Sequence, residues 1–335
     1  MPVLNPQGLI DERAKAIKDF HVQIGQKRAE IDLSGGVDSA VVLALLVKAL
    51  KPENVTAVWQ GIKSSPDALK RAQAAAFVFG VRLVESDWSP MMVNLQTAMV
   101  QALSDAGYDR QEVFARLDAD PTILGSLRSC LRAPIGRGFN RMTGGGIRHG
   151  TGNEDEDRWM RFYQKGGDGE VDTNPIAFLS KGEVWQLALA LGVPKSILEA
   201  RPSPDLWGTG DAHNDEDEIK TYLGLPKDCP YPMYSYVNFE TGQYKNVGLI
   251  ERVSRFDDVR HFLSVCDDEI AMGRNFLGYP MFQGIPIEVV KRLCHAARRV
   301  EKMTRHKANP NIPMLGNRAD LVDDGILTDD LPVGD

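Results

Sequence analysis

The hexapeptide Ser-Gly-Gly-Val-Asp-Ser, which begins at Ser34, carries the residues best suited to chemistry. It stands between a β-branched run and an apolar helical stretch, and a helix N-terminus attracts anions through its N–H groups and its dipole. Gly35 and Gly36 would let phosphate approach the backbone closely, Ser34 and Ser39 could donate to phosphate oxygens, and Asp38 could face phosphate only across a cation such as Mg²⁺. The pattern predicts nucleotide binding, and a simple turn with a helix N-cap is the alternative.

Two common nucleotide-binding loops are missing from the sequence. The chain has no Gly-Lys pair of a Walker loop and no G-x-G-x-x-G. The hexapeptide is therefore neither a kinase-type P-loop nor a dinucleotide fingerprint.

These residues need a scaffold, and the first third of the chain has the alternation that is typical of a parallel sheet with crossover helices. The pattern predicts strands over Ala29–Leu33, Val55–Trp59 and Val81–Glu85, and helices over Ala40–Leu50 and Pro66–Phe79. The hexapeptide would then connect the first strand to the first crossover helix.

Helical patterns continue over Met91–Asn140 and Lys181–Leu191. Between them, a fourth strand is possible over Gly145–Gly150. Arg148 and His149 are unusual residues for a buried parallel strand, so this prediction is the weakest of the strands.

The remaining segments are less regular. Acidic residues and glycines predict a mobile loop over Thr151–Asp172, and the composition of Pro226–Gly242 predicts irregular structure. Two helices are expected over Leu249–Met272 and Ile287–Lys302. Residues 308–335 read as an extended tail.

Composition excludes several classes of function. A chain of 335 residues with 43% hydrophobic residues can bury a full α/β core, whereas a net charge of −7 argues against a surface that tracks nucleic acid. The longest apolar run is too short to cross a membrane, and the N-terminus lacks the order of a signal peptide. The expected location is the cytoplasm, and the four cysteines, without metal-binding spacing, are interpreted as reduced thiols.

The hexapeptide resembles the S-G-G-x-D-S loop of the N-type ATP pyrophosphatases, which binds the phosphates that leave as pyrophosphate. Further blocks follow in the order seen in one branch of that superfamily, the ammonia-dependent NAD synthetases. Residues 150–156 are similar to the G-T-x-N-x-x-E signature, 165–169 to the K-Y-G-D-G segment, and 201–207 to P-S-A-D-L-W. Residues 303–307 resemble the segment that reaches a substrate nucleotide.

The resemblance implies a role for each matching residue. Catalysis would involve Asp38, Lys165, Asp168 and Lys181. ATP would be bound by Ser34, Gly35, Gly36, Asp38, Ser39, Thr151, Lys181 and Ser203. Deamido-NAD would contact Arg128, Arg132, Lys165, Asp168, Asp172, His306 and Lys307. Asp38 and Glu156 would share one Mg²⁺.

The resemblance also implies the fold and the reaction. The expected fold is a doubly wound, Rossmann-like sheet of five parallel strands with helices on both faces, ATP lying at the carboxyl ends of the strands. One domain would cover residues 1–307, with a longer insertion near 208–286. The protein would be a homodimer that amidates deamido-NAD to NAD, using ATP and ammonia through an adenylated intermediate and releasing AMP and pyrophosphate.

Two residues depart from the family pattern. Ser126 and Cys130 stand where the family has Asn and Arg in the segment that contacts deamido-NAD. A missing arginine removes a charge-assisted hydrogen bond to a carboxylate or phosphate. Two alternatives therefore stay open: an adenylating ligase of the same fold that acts on another carboxylate, and a catalytically idle nucleotide-binding homologue.

Overall fold

The centre of the molecule is a parallel sheet of four strands in the order β3-β2-β1-β4. The strands are β1 (Ala29–Asp32), β2 (Val55–Gly61), β3 (Arg82–Asp87) and β4 (Ile147–His149). The structure is a computed structural model that describes residues 3–120, 122–161, 164, 166–167, 169–200, 234–238, 243–244, 250–254, 286–304, 307 and 315–328.

Helices connect and cover these strands. They are α1 (Pro6–Ile24), α2 (Val37–Leu50), α3 (Pro66–Val78), α4 (Ser89–Asp105), α5 (Arg110–Ala119), α6 (Thr122–Met142), α7 (Lys181–Ala190), α8 (Lys195–Leu198), α9 (Ile287–Thr304) and α10 (Arg318–Asp323). A 3₁₀ turn covers Pro52–Asn54, and a π-helical segment covers Glu154–Met160.

The chain order places a crevice at the carboxyl end of β1. The path runs from β1 outward to β3 and then returns to the other side of β1 with β4, so the direction reverses between β1 and β4, where open α/β sheets bind ligands. Helices α1, α2 and α7 pack together on one face. Helix α6 covers the opposite face, where Gln60 Nε2 of β2 donates to the Arg132 carbonyl oxygen at 3.1 Å.

The expected fifth strand is reduced to one residue. Thr173 forms an isolated parallel bridge with His149 beside β4, and the Gly150 N–H donates to its carbonyl oxygen at 2.8 Å. In the described residues the parallel sheet therefore has four strands, and the prediction of five is wrong. The α/β class and helices on both faces are confirmed.

Strand β4 does form, because its polar side chains have partners within the fold. Arg148 Nη1 donates to Glu30 Oε1 at 2.7 Å, and its other terminal nitrogen pairs with Asp32. His149 Nε2 lies 2.9 Å from His21 Nε2, with the two rings stacked. Burial, reinforced by His21, lowers the pKa of His149 to about 3, so its imidazole is neutral in the folded state.

Three other predictions fail in part. Residues Glu154–Met160 form a π-helical segment instead of a loop, because the Asn153 side chain caps them. A second, antiparallel sheet holds β5 (Tyr234–Asn238), β6 (Gln243–Tyr244) and β7 (Ile250–Ser254). It replaces part of the expected irregular segment, and β7 occupies residues that were predicted to be helical.

The C-terminal segment is also more ordered than the sequence suggested. Helix α10 forms within residues 315–328, which were predicted to be extended, and Leu315, Leu321 and Leu327 belong to the main hydrophobic core. The predicted division into residues 1–307 and 308–335 stays a prediction.

Candidate active site

The hexapeptide forms the turn from β1 into α2, as expected. Ser34 Oγ accepts from the Gly36 N–H at 3.2 Å and lies 3.0 Å from Ser39 Oγ, which donates to the Gly36 carbonyl oxygen at 3.0 Å. The two serines thus close the turn from its two ends. Gly36 is the N-cap of α2 and has no side chain to bond the first N–H groups of that helix, which leaves them suited to an anion.

Gly35 is required by the close packing of α3. It has a positive φ of 85°, and a Cβ at this position would lie 2.3 Å from the Ala68 carbonyl oxygen. Arg71, also on α3, donates through Nε to the Gly35 carbonyl oxygen at 3.1 Å. Helix α3 therefore holds the loop in its turn conformation, and a side chain at Gly35 would displace it.

A second segment meets the loop from the other side of the crevice. After β4 the chain reaches Asn153, whose Oδ1 accepts from the N–H groups of Asp155 and Glu156 at 3.1 and 3.0 Å. The Nδ2 of Asn153 donates to Asp38 Oδ1 at 3.1 Å. One buried amide thus caps the π-helical segment and orients the carboxylate of the hexapeptide. A Cβ at Gly152 would lie 1.7 Å from Asp157 Oδ2, so a larger residue here would have to displace that side chain.

The charged centre consists of Lys181, Asp38 and Glu156, which we call the site cluster. Lys181 Nζ donates to Asp38 Oδ2 at 2.6 Å and to Glu156 Oε1 at 2.7 Å. The lysine side chain is 3% exposed, against 16% and 18% for the two carboxylates. Three residues that are far apart in sequence therefore converge beside the hexapeptide turn, and two carboxylates share one cation.

Burial raises the pKa of Glu156, and the charge of Lys181 opposes that effect while the charge of Asp38 adds to it. A second cation near the two carboxylates would favour their ionised forms. Among the described residues there is no group of three or more His, Cys, Asp or Glu side chains for a metal. Two carboxylates with phosphate oxygens and water are nevertheless the usual ligands of protein-bound Mg²⁺, so Asp38 and Glu156 fit that role.

The other predicted residues are distributed around this centre. Thr151 follows β4 at the carboxyl edge of the sheet, and α6 carries Arg128, which is buried, and Arg132, which is half-buried. Lys307 follows α9 and is half-buried, and burial lowers the pKa of its amine. The positions Lys165, Asp168, Ser203 and His306 lie outside the described residues.

Asp172 has a different environment from the site cluster. Its Oδ2 accepts from the Arg148 N–H at 2.8 Å, and its Oδ1 lies 4.0 Å from Arg137 Nη1. These contacts place the carboxylate beside the edge strand β4. The structure therefore brings Asp38, Glu156 and Lys181 together but does not show Asp172 joining them.

Two residues at the site were missed as individual candidates. Asn153 orients Asp38, and Asp155 Oδ2 accepts from the Lys181 backbone N–H at 2.8 Å. Asn153 immediately precedes a run of four acidic residues, which is a typical N-cap position. That pattern was a usable signal, whereas nothing local in the sequence indicated the partner of Asp155.

The hexapeptide turn, the reversal of the sheet beside it and the site cluster define an α/β protein with a charged site of the kind that suits a nucleotide. The family model of NAD synthase matches residues 9–227. The NH₃-dependent NAD⁺ synthetase of Alkaliphilus oremlandii is 30% identical over 255 residues, which cover 75% of this chain and 93% of that relative. The chain therefore belongs to the NAD synthase family of ligases.

Solved structures agree with this fold. The NMN synthetase of Francisella tularensis matches with a TM-score of 0.59 and 20% identity, over 92% of this chain and 99% of that one. The NH₃-dependent NAD synthetase of Campylobacter jejuni matches with a TM-score of 0.57 and 15% identity, again over 92% and 99%. At these identities the likeness concerns the fold alone. No helix in the described parts of the chain is long and apolar enough to span a membrane.

Proposed function

We propose that this protein makes NAD by amidating deamido-NAD with ammonia, at the cost of ATP. The observation that carries the proposal is the site cluster, in which Lys181 joins Asp38 at the start of α2 to Glu156. The hexapeptide turn at the start of a helix, together with one lysine and two carboxylates, is suited to a nucleoside triphosphate with its divalent cation. The curated relative described above carries the corresponding name.

In this proposal the chain supplies positioning and charge. The N–H groups at the start of α2, with Ser34 and Ser39, bind the phosphates that leave as pyrophosphate. Lys181 neutralises the charge that develops on the leaving group and on the reacting phosphorus. Asp38 and Glu156 hold Mg²⁺, which when bound screens the charge of the triphosphate. The nicotinate carboxylate is thereby adenylated, and ammonia then displaces AMP.

A second acceptor is considered because α6 departs from the family pattern. Arg128 and Arg132 remain on α6 to pair with an anionic nucleotide, but Cys130 replaces an expected arginine. An acceptor with a smaller or less charged contact surface is the second candidate, and this observation favours it. Both candidates use the same ATP site.

The decisive experiment incubates the purified protein with ATP, Mg²⁺ and ammonium, and supplies either deamido-NAD or nicotinate mononucleotide. Formation of NAD, AMP and pyrophosphate with the dinucleotide supports the proposal. Amidation of the mononucleotide alone would transfer the activity to the second candidate. Absence of pyrophosphate release with either acceptor would favour an idle nucleotide-binding homologue.

We also propose that ammonia is the efficient nitrogen donor. A glutaminase needs a nucleophilic cysteine with its own base and a domain to hold them. Cys130 is half-buried on α6 and is not in a disulfide. Cys294 is disulfide-bonded, so its interpretation as a reduced thiol is wrong. Glutamine that supports the reaction as well as ammonium does, with purified protein alone, would contradict this.

The proposed assembly is a homodimer. Large apolar side chains are exposed on the helices that precede β4. They include Val93, Met99, Leu103, Phe114 and Ile123. An apolar surface of this kind is typical of a surface closed by a second copy. A monomer mass in light scattering at micromolar concentration, with activity retained, would contradict the proposal.

A further inference from the structure

The position of Lys181 depends on the way α7 begins. Ser180 is the N-cap of this helix, and its N–H donates to Glu183 Oε2 at 2.9 Å while its Oγ accepts from the Glu183 N–H at 3.4 Å. Lys181 is the first helical residue, and its own N–H donates to Asp155 Oδ2 at 2.8 Å. The reciprocal bonds of a capping box fix the first turn of a helix, so Glu183 helps to set where the lysine side chain starts.

Glu183 is itself a fully buried carboxylate, with 0% of its side chain exposed. Its charge is balanced by Arg318 of α10, whose Nη1 donates to Glu183 Oε2 at 2.8 Å and whose side chain is 5% exposed. Removing the cation from a buried carboxylate strongly destabilises the folded state, because the remaining charge has no partner of opposite sign. The same oxygen, Glu183 Oε2, accepts hydrogen bonds from both the Ser180 N–H and Arg318 Nη1, so the helix cap and the ion pair are directly connected.

The segment that supplies Arg318 is firmly attached to the core. Arg318 Nη2 donates to the Thr328 carbonyl oxygen at 3.0 Å, and the Asn5 N–H donates to the Ile326 carbonyl oxygen at 3.4 Å. Leu321, on the same helix, is buried in the main core. This segment lies about 90 residues beyond the end of the region that the NAD synthase model matches, so that match assigns it no role.

We propose that Arg318 is a positioning residue for the ATP site, which acts through Glu183 and the capped start of α7 to hold Lys181 against Asp38 and Glu156. The inference rests on the proposed function for the role of Lys181 in binding and turning over ATP. The chain of contacts is continuous from Arg318 Nη1 to Glu183, from Glu183 to Ser180, and from the next residue, Lys181, to the two carboxylates.

The test compares Arg318→Met and Arg318→Lys with Val100→Ala. Arg318→Met removes the charge, Arg318→Lys keeps it, and Val100→Ala weakens a buried contact on α4 that is remote in sequence from this network. Calorimetry measures the affinity for ATP with Mg²⁺ in each folded variant, and this measurement does not require turnover. The kcat for amidation is measured in parallel.

We expect Arg318→Met to weaken the affinity for ATP with Mg²⁺ and to lower kcat, each by about tenfold, because a small displacement of a charged group costs much at a preorganised site. Arg318→Lys should restore both values to within about threefold, and Val100→Ala should change only thermal stability. Affinities unchanged in Arg318→Met, or equal losses in Val100→Ala, would overturn the inference. If Arg318→Met does not fold, Glu183→Gln replaces it: an unchanged ATP affinity in that variant would overturn the inference, and a weakened one would support it.

A wild-type protein that binds ATP but amidates neither acceptor would refute the proposed function and still allow the test. In that case the calorimetric comparison alone decides the role of Arg318.

Discussion

Two clusters in this molecule each place one cation between two carboxylates. They differ in the kind of cation and in the elements that carry their members. In the site cluster, Lys181 contacts Asp38 and Glu156. In the second, which we call the sheet cluster, Arg148 contacts Glu30 and Asp32. We use the comparison to distinguish a cluster whose cation could pair with a ligand from one whose cation is held by the sheet.

The two cations have different chemistry. Lysine carries a compact charge on a flexible stem, whereas the arginine guanidinium is a rigid fork that pairs with carboxylates in fixed geometry. In the sheet cluster the fork spans the two carboxylates of one strand, β1, and Gln60 Nε2 donates to Asp32 Oδ1 at 2.7 Å. Every partner stands on a strand, so the cluster is rigid.

The site cluster takes its members from the starts of helices. Asp38 lies in the first turn of α2, Glu156 in the π-helical segment and Lys181 at the start of α7. Helix N-termini stabilise anions, so a phosphate can replace the carboxylates as the partner of the lysine. We infer that the site cluster is the functional one and that the sheet cluster aligns β1, β2 and β4 beneath it.

The largest effect is expected from Lys181→Met. Pyrophosphate release should fall by roughly 1,000- to 10,000-fold, because the charge next to the leaving group is lost. Lys181→Arg should remain at least about 100-fold below wild type, since a planar fork does not replace a point charge. Rates are compared per folded molecule, with circular dichroism as the check on folding. Activity within tenfold of wild type in Lys181→Met would show that the cluster is structural.

The second prediction concerns a shared metal at Asp38 and Glu156. Asp38→Asn and Glu156→Gln should each cost about 1,000-fold in pyrophosphate release, and the double variant should cost little more, because residues that act as a unit are not additive. Each single variant should also need more Mg²⁺ for half-maximal rate. Additive losses, or an unchanged Mg²⁺ requirement, would mean that the two side chains do not share a metal.

The two clusters also mark what the sequence could and could not predict. The hexapeptide identified Asp38 because its six residues are contiguous and stand between a weak strand pattern and an apolar helical pattern. Lys181 and Glu156 were found through the family resemblance, since isolated Lys and Glu residues in polar segments are usually solvated. Local pattern alone gives no sign that they meet.

The sheet cluster was not predicted at all. Glu30 and Arg148 are 118 residues apart, and each is unfavourable in a buried strand by itself. Each residue is tolerated in its buried strand only because it pairs with the other. That pairing depends on the register between β1 and β4, which the sequence does not show. The prediction of β4 was weak for the same reason, since the partner that makes Arg148 acceptable in this strand could not be identified from the sequence.

The third prediction tests the rigidity of the sheet cluster. Arg148→Met should lower the free energy of unfolding by about 3 to 5 kcal/mol, because it leaves the buried Glu30 and the partly exposed Asp32 without their cation. Arg148→Lys should lie between this variant and wild type. Urea unfolding gives the values, and the ATP affinity of the folded fraction should change much less than in Lys181→Met. Equal losses of affinity in the two methionine variants would contradict the distinction between the clusters.

The smallest effect concerns the pH dependence of stability that Glu30 contributes. Burial raises the pKa of Glu30 from 4.5 to about 7, with a smaller contribution from Asp32 and with the charge of Arg148 opposing the shift. Because the folded state holds this proton more tightly than the unfolded chain, the contribution to stability is complete below pH 4.5 and is lost as the pH rises to about 7.

Glu30→Gln should remove this dependence. The difference in unfolding free energy between wild type and Glu30→Gln should change by at most about 3 kcal/mol between pH 5 and pH 8, in the direction of a weaker wild type at high pH. His21 and His149 have lowered pKa values and contribute with the opposite sign, so only the difference between the two proteins isolates Glu30. A difference that is flat across this range would mean that Glu30 is ionised throughout and that Arg148 balances it fully. In that case the sheet cluster would hold two ionised carboxylates around its cation, and the two clusters would differ in the kind of cation and in the elements that carry their members.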